Sequence, residues 1–245
     1  MDLKLEVQMK DVFHSLNRNR KSSGFKDLAS QYLYHLDDVS VSFGNIKALQ
    51  SVTLTINPGE ILFITGKSGA GKSTLLNMLA GDLRPDKGRI FLPDRNKIFA
   101  SQVFQDLKLL SEQTCEQNLW YAYDDKLYKT KNEFHEDMME LVKVLGIKNF
   151  LSNRMCDVNG GMKQKVALVR SLLARPNVLL ADEPTCSLDK DSSVKLFEVL
   201  NFYNVKRKLT VVWASHNRDL VKQFPGKIVH LENGKLIYSG HACFI

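Results

Sequence analysis

The sequence predicts an α/β domain organised around a parallel sheet, and two stretches carry that expectation. Residues 61–65, Ile-Leu-Phe-Ile-Thr, read as a buried strand, residues 75–80 read as a helix, and a glycine-rich turn joins them. From residue 178 onward, apolar runs at 178–181 and 210–214 bracket a helical pattern at 194–203, the mark of strand–helix–strand units. At 245 residues the chain is long enough for one large domain of this class, or for one domain with a smaller insert.

Residues 1–35 form an N-terminal extension without a chemical motif. Its basic, Ser/Gly-bearing patch at 18–26 reads as solvated and partly flexible. Val7, Met9, Val12, Phe13 and Leu16 lie near helical spacing, which suits a short amphipathic helix. The domain proper is expected over 36–245. Val39, Val41 and Phe43 alternate with polar residues, as do Leu49, Val52, Leu54 and Ile56 with one slip, so two strands are expected there. Pro58-Gly59 marks the turn into the next strand. Short strands follow near 89–92 and 97–104. A helical subdomain is expected over about 106–170, with Phe134, Met138, Leu141, Val142 and Leu145 on one helix face.

Apolar residues make up 44% of the chain, enough for a sizeable core, and no stretch approaches the roughly 20 apolar residues that span a bilayer. The first residues carry scattered charges rather than an apolar core, so no secretory signal is expected and the protein is placed in the cytoplasm. Cys115, Cys156, Cys186 and Cys243 are widely separated, as suits free thiols in a reducing compartment rather than a metal site or disulfide framework. The net charge of +7 is spread along the chain, and the aromatics show no single-strand-binding pattern. Nucleic acid is therefore not expected as a partner; a membrane surface or an acidic protein is.

The chemistry starts at Gly66, Lys67, Ser68, Gly69, Ala70, Gly71, Lys72, Ser73 and Thr74. A strand, a glycine-rich turn and a helix suit a triphosphate, because free backbone N–H groups and the helix N-terminus both favour negative charge. Lys72 can reach the β- and γ-phosphates of ATP, and the Ser73 hydroxyl can coordinate Mg2+. A phosphate loop also needs a second carboxylate for the metal and a group that orients water. Asp182 and Glu183, closing the strand at 178, supply both: Asp182 for Mg2+, Glu183 as general base. In other settings two acids at a strand end are merely solvated. His216 and Gln105 follow strands and fall on the rim where parallel sheets bind ligands, although a lone histidine is often structural. His216 can donate to the γ-phosphate, and Gln105 can contact Mg2+ or water. Asn159, Gly160 and Gly161 open a second glycine-bearing helix start, which is either an ordinary one or a cradle for a second ATP.

In this order, the motifs over residues 36–245 resemble the ATPase domain of ATP-binding cassette (ABC) transporters. Residues 66–74 resemble the Walker A motif, Gln105 the Q-loop, 158–162 the signature, 178–183 the Walker B motif, 187–189 the D-loop, and His216 the switch histidine. The resemblance implies a P-loop NTPase fold of the ABC type: a RecA-like core, a small antiparallel β-subdomain and a helical subdomain. It also implies Mg2+-dependent ATP hydrolysis, an ATP-bound homodimer, and stacking of adenine on Phe43. Residues 48–52, 63–74 and 104–110 are similar to the FtsE, LolD and MacB group of cassettes. That similarity implies an FtsX-like membrane partner, a peripheral position on the cytoplasmic face of the inner membrane, and work in cell division or wall remodelling. A lipoprotein-release or export ATPase, or a slow-hydrolysing nucleotide-gated scaffold, are the alternatives. Two departures bear on rate: Asn159 stands where the family usually has Ser, and Met162 where it has Gln or Glu. Slower hydrolysis and weaker dimer closure are expected from them. The short segment between Gly88 and Gln105 puts the β-subdomain in question.

Overall fold

A computed structural model describes residues 32–242; the amphipathic stretch at 7–16 and the basic patch at 18–26 lie outside the described residues. Two sheets organise the chain. The larger has six strands in the order β5-β6-β7-β3-β8-β9, where β3 is Ile61–Thr65, β5 Ala100–Val103, β6 Val178–Asp182, β7 Thr210–Ser215, β8 Gly226–Glu232 and β9 Lys235–Ala242. All neighbours in it run parallel except β8 and β9, which form an antiparallel hairpin.

The central strands are apolar throughout because both faces of the sheet are covered. Alternate side chains enter different cores. Phe63, Leu179, Ala181, Val211 and Trp213 face one. Leu62, Ile64, Val178, Leu180, Val212 and Ala214 face the other. The first core is closed by α3 (Lys131–Val144), α4 (Gly160–Leu173) and α5 (Lys190–Arg207), and the second by α1 (Lys72–Ala80).

A three-stranded antiparallel sheet, β2-β1-β4, lies against α1 and shares that second core; β1 is Tyr34–Phe43, β2 Ile46–Ile56 and β4 Lys87–Phe91. The short 88–105 segment therefore does not remove the β-subdomain: β4 pairs with β1 from His35↔Phe91 to Ser40↔Lys87. The helical stretch is more broken than its periodicity implies. It comprises α2 (Cys115–Trp120), α3, two short 3-10 turns and α4. Asn118, fully buried, organises the first loop by donating to the carbonyls of Leu110 and Thr114 and accepting from the Leu110 N–H. A short helix α6 (Arg218–Val221) follows β7.

Candidate active site

The phosphate-loop turn lies between β3 and α1, backed by β2. Gly71 at its end has φ 104, and a side chain there would run into the Ala48 carbonyl and Leu49. Glycine is therefore required for both conformation and space. The other five α-helices of the described residues each carry a side-chain cap: Thr114, Thr130, Asn159, Asp189 and Asn217. α1 has none, and no acid in its first turn. Its leading N–H groups and positive dipole end are left facing the cleft, an arrangement that awaits an anion.

The structure brings Phe43, Gly66, Lys67, Ser68, Gly69, Gly71, Lys72, Ser73, Thr74, Gln105, Asp182, Glu183 and His216 to one cleft of about 830 Å3. Phe43 is half exposed at its mouth, as an aromatic must be to stack on a planar ligand. Ala70 does not line the cleft: its side chain turns into the core and its carbonyl accepts the Gly234 N–H at 3.1 Å. Asn159, Gly160 and Gly161 do not line this cleft. They pack against the turn before α5, where a Cβ on Gly161 would lie 2.7 Å from the Ser187 carbonyl oxygen. Asn159 caps α4, its Oδ1 accepting the Met162 N–H at 2.8 Å, which leaves its amide NH2 available as a donor. Asp189 likewise caps α5 through the Ser192 N–H.

Inside the cleft, Lys72 Nζ donates to the carbonyls of Gly66 (2.9 Å) and Lys67 (3.1 Å) and stands 3.5 Å from Glu183 Oε1. The other Glu183 oxygen, Oε2, lies 2.9 Å from Nδ1 of the exposed His216. Glu183 itself has φ 50, a left-handed conformation that non-glycine residues avoid. Three bonds hold it there: its N–H donates to the Ala214 carbonyl, and its carbonyl accepts from Gln164 Nε2 at 2.8 Å and from the Cys186 N–H at 3.1 Å. Asp182, largely buried, accepts a hydrogen bond from Ser73. Burial pushes its carboxyl above the ordinary range and the adjacent Glu183 charge adds to the rise, while Ser73 and Lys72 oppose it.

Three residues here escaped the sequence reading. Gln164 ties α4 to the strand end, its Oε1 also accepting the Ser187 N–H. The available signal was a polar residue on the face of α4 that buries Ala167 and Leu168, four-residue spacing that puts it in the core. Arg218 and His230 also line the cleft. His230 Nδ1 lies 2.9 Å from Thr65 Oγ1, and burial, with the Arg218 charge adding, holds its pKa below the ordinary histidine value.

Comparison with known proteins places this geometry. The ABC transporter family profile matches residues 49–186, more than half of the chain. The chain belongs to the ABC transporter family. It is an ABC-type ATPase domain. The cell division ATP-binding protein FtsE of Streptococcus pneumoniae is 30% identical over 218 residues, covering 84% of this chain and 94% of that protein. The methionine import ATP-binding protein MetN of Rhizobium johnstonii is 33% identical over 225 residues, covering 86% of this chain but 62% of MetN. Among solved structures, the dimeric post-hydrolysis state of the ATP-binding cassette MJ0796 bound to ADP and Pi superposes with a TM-score of 0.73 at 26% identity. It covers 86% of this chain and all of that one. Division and import ATPases are thus about equally similar to this ABC ATPase. No helix of the described residues is long and apolar enough to cross a membrane.

Proposed function

We propose that this ABC ATPase works as a head-to-tail homodimer that closes on two ATP molecules and drives an FtsX-like inner-membrane partner in division or wall remodelling. The single observation that carries the nucleotide reading is α1, the one α-helix start among the described residues without a side-chain cap, set opposite Asp182, Glu183 and His216. Phe43 stacks on adenine; the backbone of residues 66–74 and Lys72 hold the phosphates. Ser73, Asp182 and Gln105 form an oxygen donor set that suits Mg2+. When bound there, the metal would neutralise phosphate charge and polarise the γ-phosphoryl group. Glu183 takes a proton from the attacking water, and His216, within reach of Glu183, donates to the γ-phosphate. The free amide NH2 of Asn159 and the N–H groups of Gly160 and Gly161 serve the partner copy's ATP.

Asp182 gives this reading a pH signature. Its carboxyl is ionised above its pKa and protonated below it, and only the ionised form holds a cation. Because that pKa is raised, Mg2+ binding should weaken at a higher pH than an exposed aspartate would allow. We expect the half-saturating Mg2+ concentration for ATP hydrolysis to rise as the pH falls, with the dependence flattened in Asp182→Asn. A pH-independent Mg2+ requirement in the native protein would remove Asp182 from the metal site.

The membrane partner is assigned to a cavity of about 320 Å3 lined by Val103 and Leu107, which flank Gln105 in the chain, together with Tyr121, Ala122 and Arg170. Tyr121, which lines it, is exposed, as a docking surface requires. The deciding experiment is co-purification from native membranes with the ATP-bound dimer held closed by Glu183→Gln. An FtsX-like protein with a large extracytoplasmic loop would support the proposal. A many-span permease would move the reading to transport, and a soluble dimer alone would favour a nucleotide-gated scaffold.

A further inference from the structure

After β5 the chain reverses through residues 105–108, and both Leu107 (φ 59) and Lys108 (φ 46) are left-handed. Side chains with a Cβ avoid this conformation because it crowds the neighbouring carbonyl, and here the cost is met twice in succession. Local sequence offers no relief, since neither position is Gly, Asn or Asp. Within the turn the Leu107 N–H donates to the Phe104 carbonyl and the Lys108 N–H to the Asp106 carbonyl, but the carbonyls of the two strained residues are held from α4, further along the chain. Arg170 Nη1 donates to the Lys108 carbonyl and Nη2 to the Leu107 carbonyl, each at 2.9 Å. A planar guanidinium suits two adjacent carbonyls in a way a lysine ammonium does not. Among the described residues no carboxylate pairs with Arg170. Burial correspondingly lowers its pKa.

We propose that Arg170 is a positioning residue: by clamping the Leu107–Lys108 turn in its left-handed form, it sets Gln105 at the mouth of the nucleotide cleft. Gln105 lies two residues before the clamped pair, and Arg170 lies ten residues into the helix that Asn159 caps. One rigid helix therefore joins the second cradle to the turn. Arg170 also lines the 320 Å3 cavity, so whatever docks there bears on the same clamp. The link to catalysis rests on the reading of Gln105 as a Mg2+ or water ligand; the clamp itself does not.

The test reads the two separately. Trypsin cuts after Lys108, so cleavage at that bond, mapped by mass spectrometry, reports the turn without reference to activity. In Arg170→Met, we expect cleavage there to rise about tenfold, and the half-saturating Mg2+ concentration for hydrolysis to rise by a similar factor with metal-free ATP affinity unchanged. Arg170→Lys keeps the charge and the packing but not the fork, and should show most of both effects. Adding Leu107→Gly to Arg170→Met should restore both to within about threefold, because glycine adopts φ > 0 without a steric penalty. Unchanged cleavage at Lys108 in a variant whose circular dichroism is native, or failure of Leu107→Gly to restore it, overturns the clamp. Accelerated cleavage with an unmoved Mg2+ requirement overturns the step from clamp to Gln105. A Gln105→Ala variant with a native Mg2+ dependence brings down the reading of Gln105 instead, and leaves the cleavage result to decide the clamp.

Discussion

Glu183→Gln is expected to lower ATP turnover by about 10²- to 10⁴-fold, the usual contribution of a positioned general base. Nucleotide affinity should stay within about threefold, since Lys72 and the loop N–H groups proposed to hold the phosphates are untouched. The side chain sits between two partners, with Oε1 toward Lys72 and Oε2 toward His216. Glutamine fills the same volume and keeps an oxygen for one of them. The backbone bonds that hold the left-handed conformation, to Ala214 and from Gln164 and Cys186, do not involve the side chain at all. The substitution therefore removes the proton acceptor and little else. A dimer that closes on ATP and reopens on hydrolysis should then persist in the closed state, visible as a stable dimer by light scattering with ATP and a monomer without it. Phosphate release at the native rate would strip Glu183 of its role. A lost rate without an ATP-held dimer would separate chemistry from closure, and would turn attention to Met162, which cannot make the polar contacts of the usual Gln or Glu.

The parts of this site that were legible in the sequence are those fixed by local chemistry. A run such as Ile61–Thr65 is apolar on both faces only if helices cover both, and the turn after it demands glycine for its left-handed conformation, which is written locally; the close approach of Ala48 and Leu49 to Gly71, which also excludes a side chain, is not. Asp182 and Glu183 were legible because a strand end carries its side chains to a rim. The β8–β9 hairpin went unread although Asn233-Gly234 is a strong turn signal, because His230 and the glycine at 226 break its apolar pattern. Strand order was invisible for a different reason. Placing β3 between β7 and β8 depends on pairings such as Phe63↔Trp213 and Phe63↔Ile228, with separations of well over a hundred residues and no local trace. Gln164 and Arg170 fall in the same class: each is one polar residue on an amphipathic helix until the fold delivers its partner.

Arg175→Ala is expected to cost about 3–5 kcal/mol of stability, because it leaves buried acidic charge without its counter-ion. Arg175 is 10% exposed and faces Asp137, also 10% exposed, at 2.7 Å, with the more exposed Glu133 at 3.1 Å. Its Nη1 donates to the Leu127 carbonyl and its guanidinium stacks 3.8 Å above the Tyr128 ring. Burial alone would lower the Arg175 pKa, but the Asp137 and Glu133 hydrogen bonds more than offset this and raise it, so the arginine stays charged. It follows α4 directly, whereas Asp137 and Glu133 lie on α3 and Tyr128 in the loop before it. The group therefore joins the helical subdomain to the sheet. Tyr128 supports the same joint, its OH donating to the Leu173 carbonyl at 2.6 Å and its ring meeting Phe134 edge-on at 5.0 Å. Tyr128→Phe removes only that hydroxyl bond and should cost about 1 kcal/mol. Arg175→Lys should recover little, because a point charge cannot serve a carbonyl, two carboxylates and a ring face together. Urea unfolding checks the order. If Arg175→Ala costs no more than Tyr128→Phe, the network is surface electrostatics and the subdomains are joined by apolar packing alone. If the large loss appears with a lower m-value, the helical subdomain has come away before the sheet unfolds. The buried pair would then be what makes the two subdomains unfold as one.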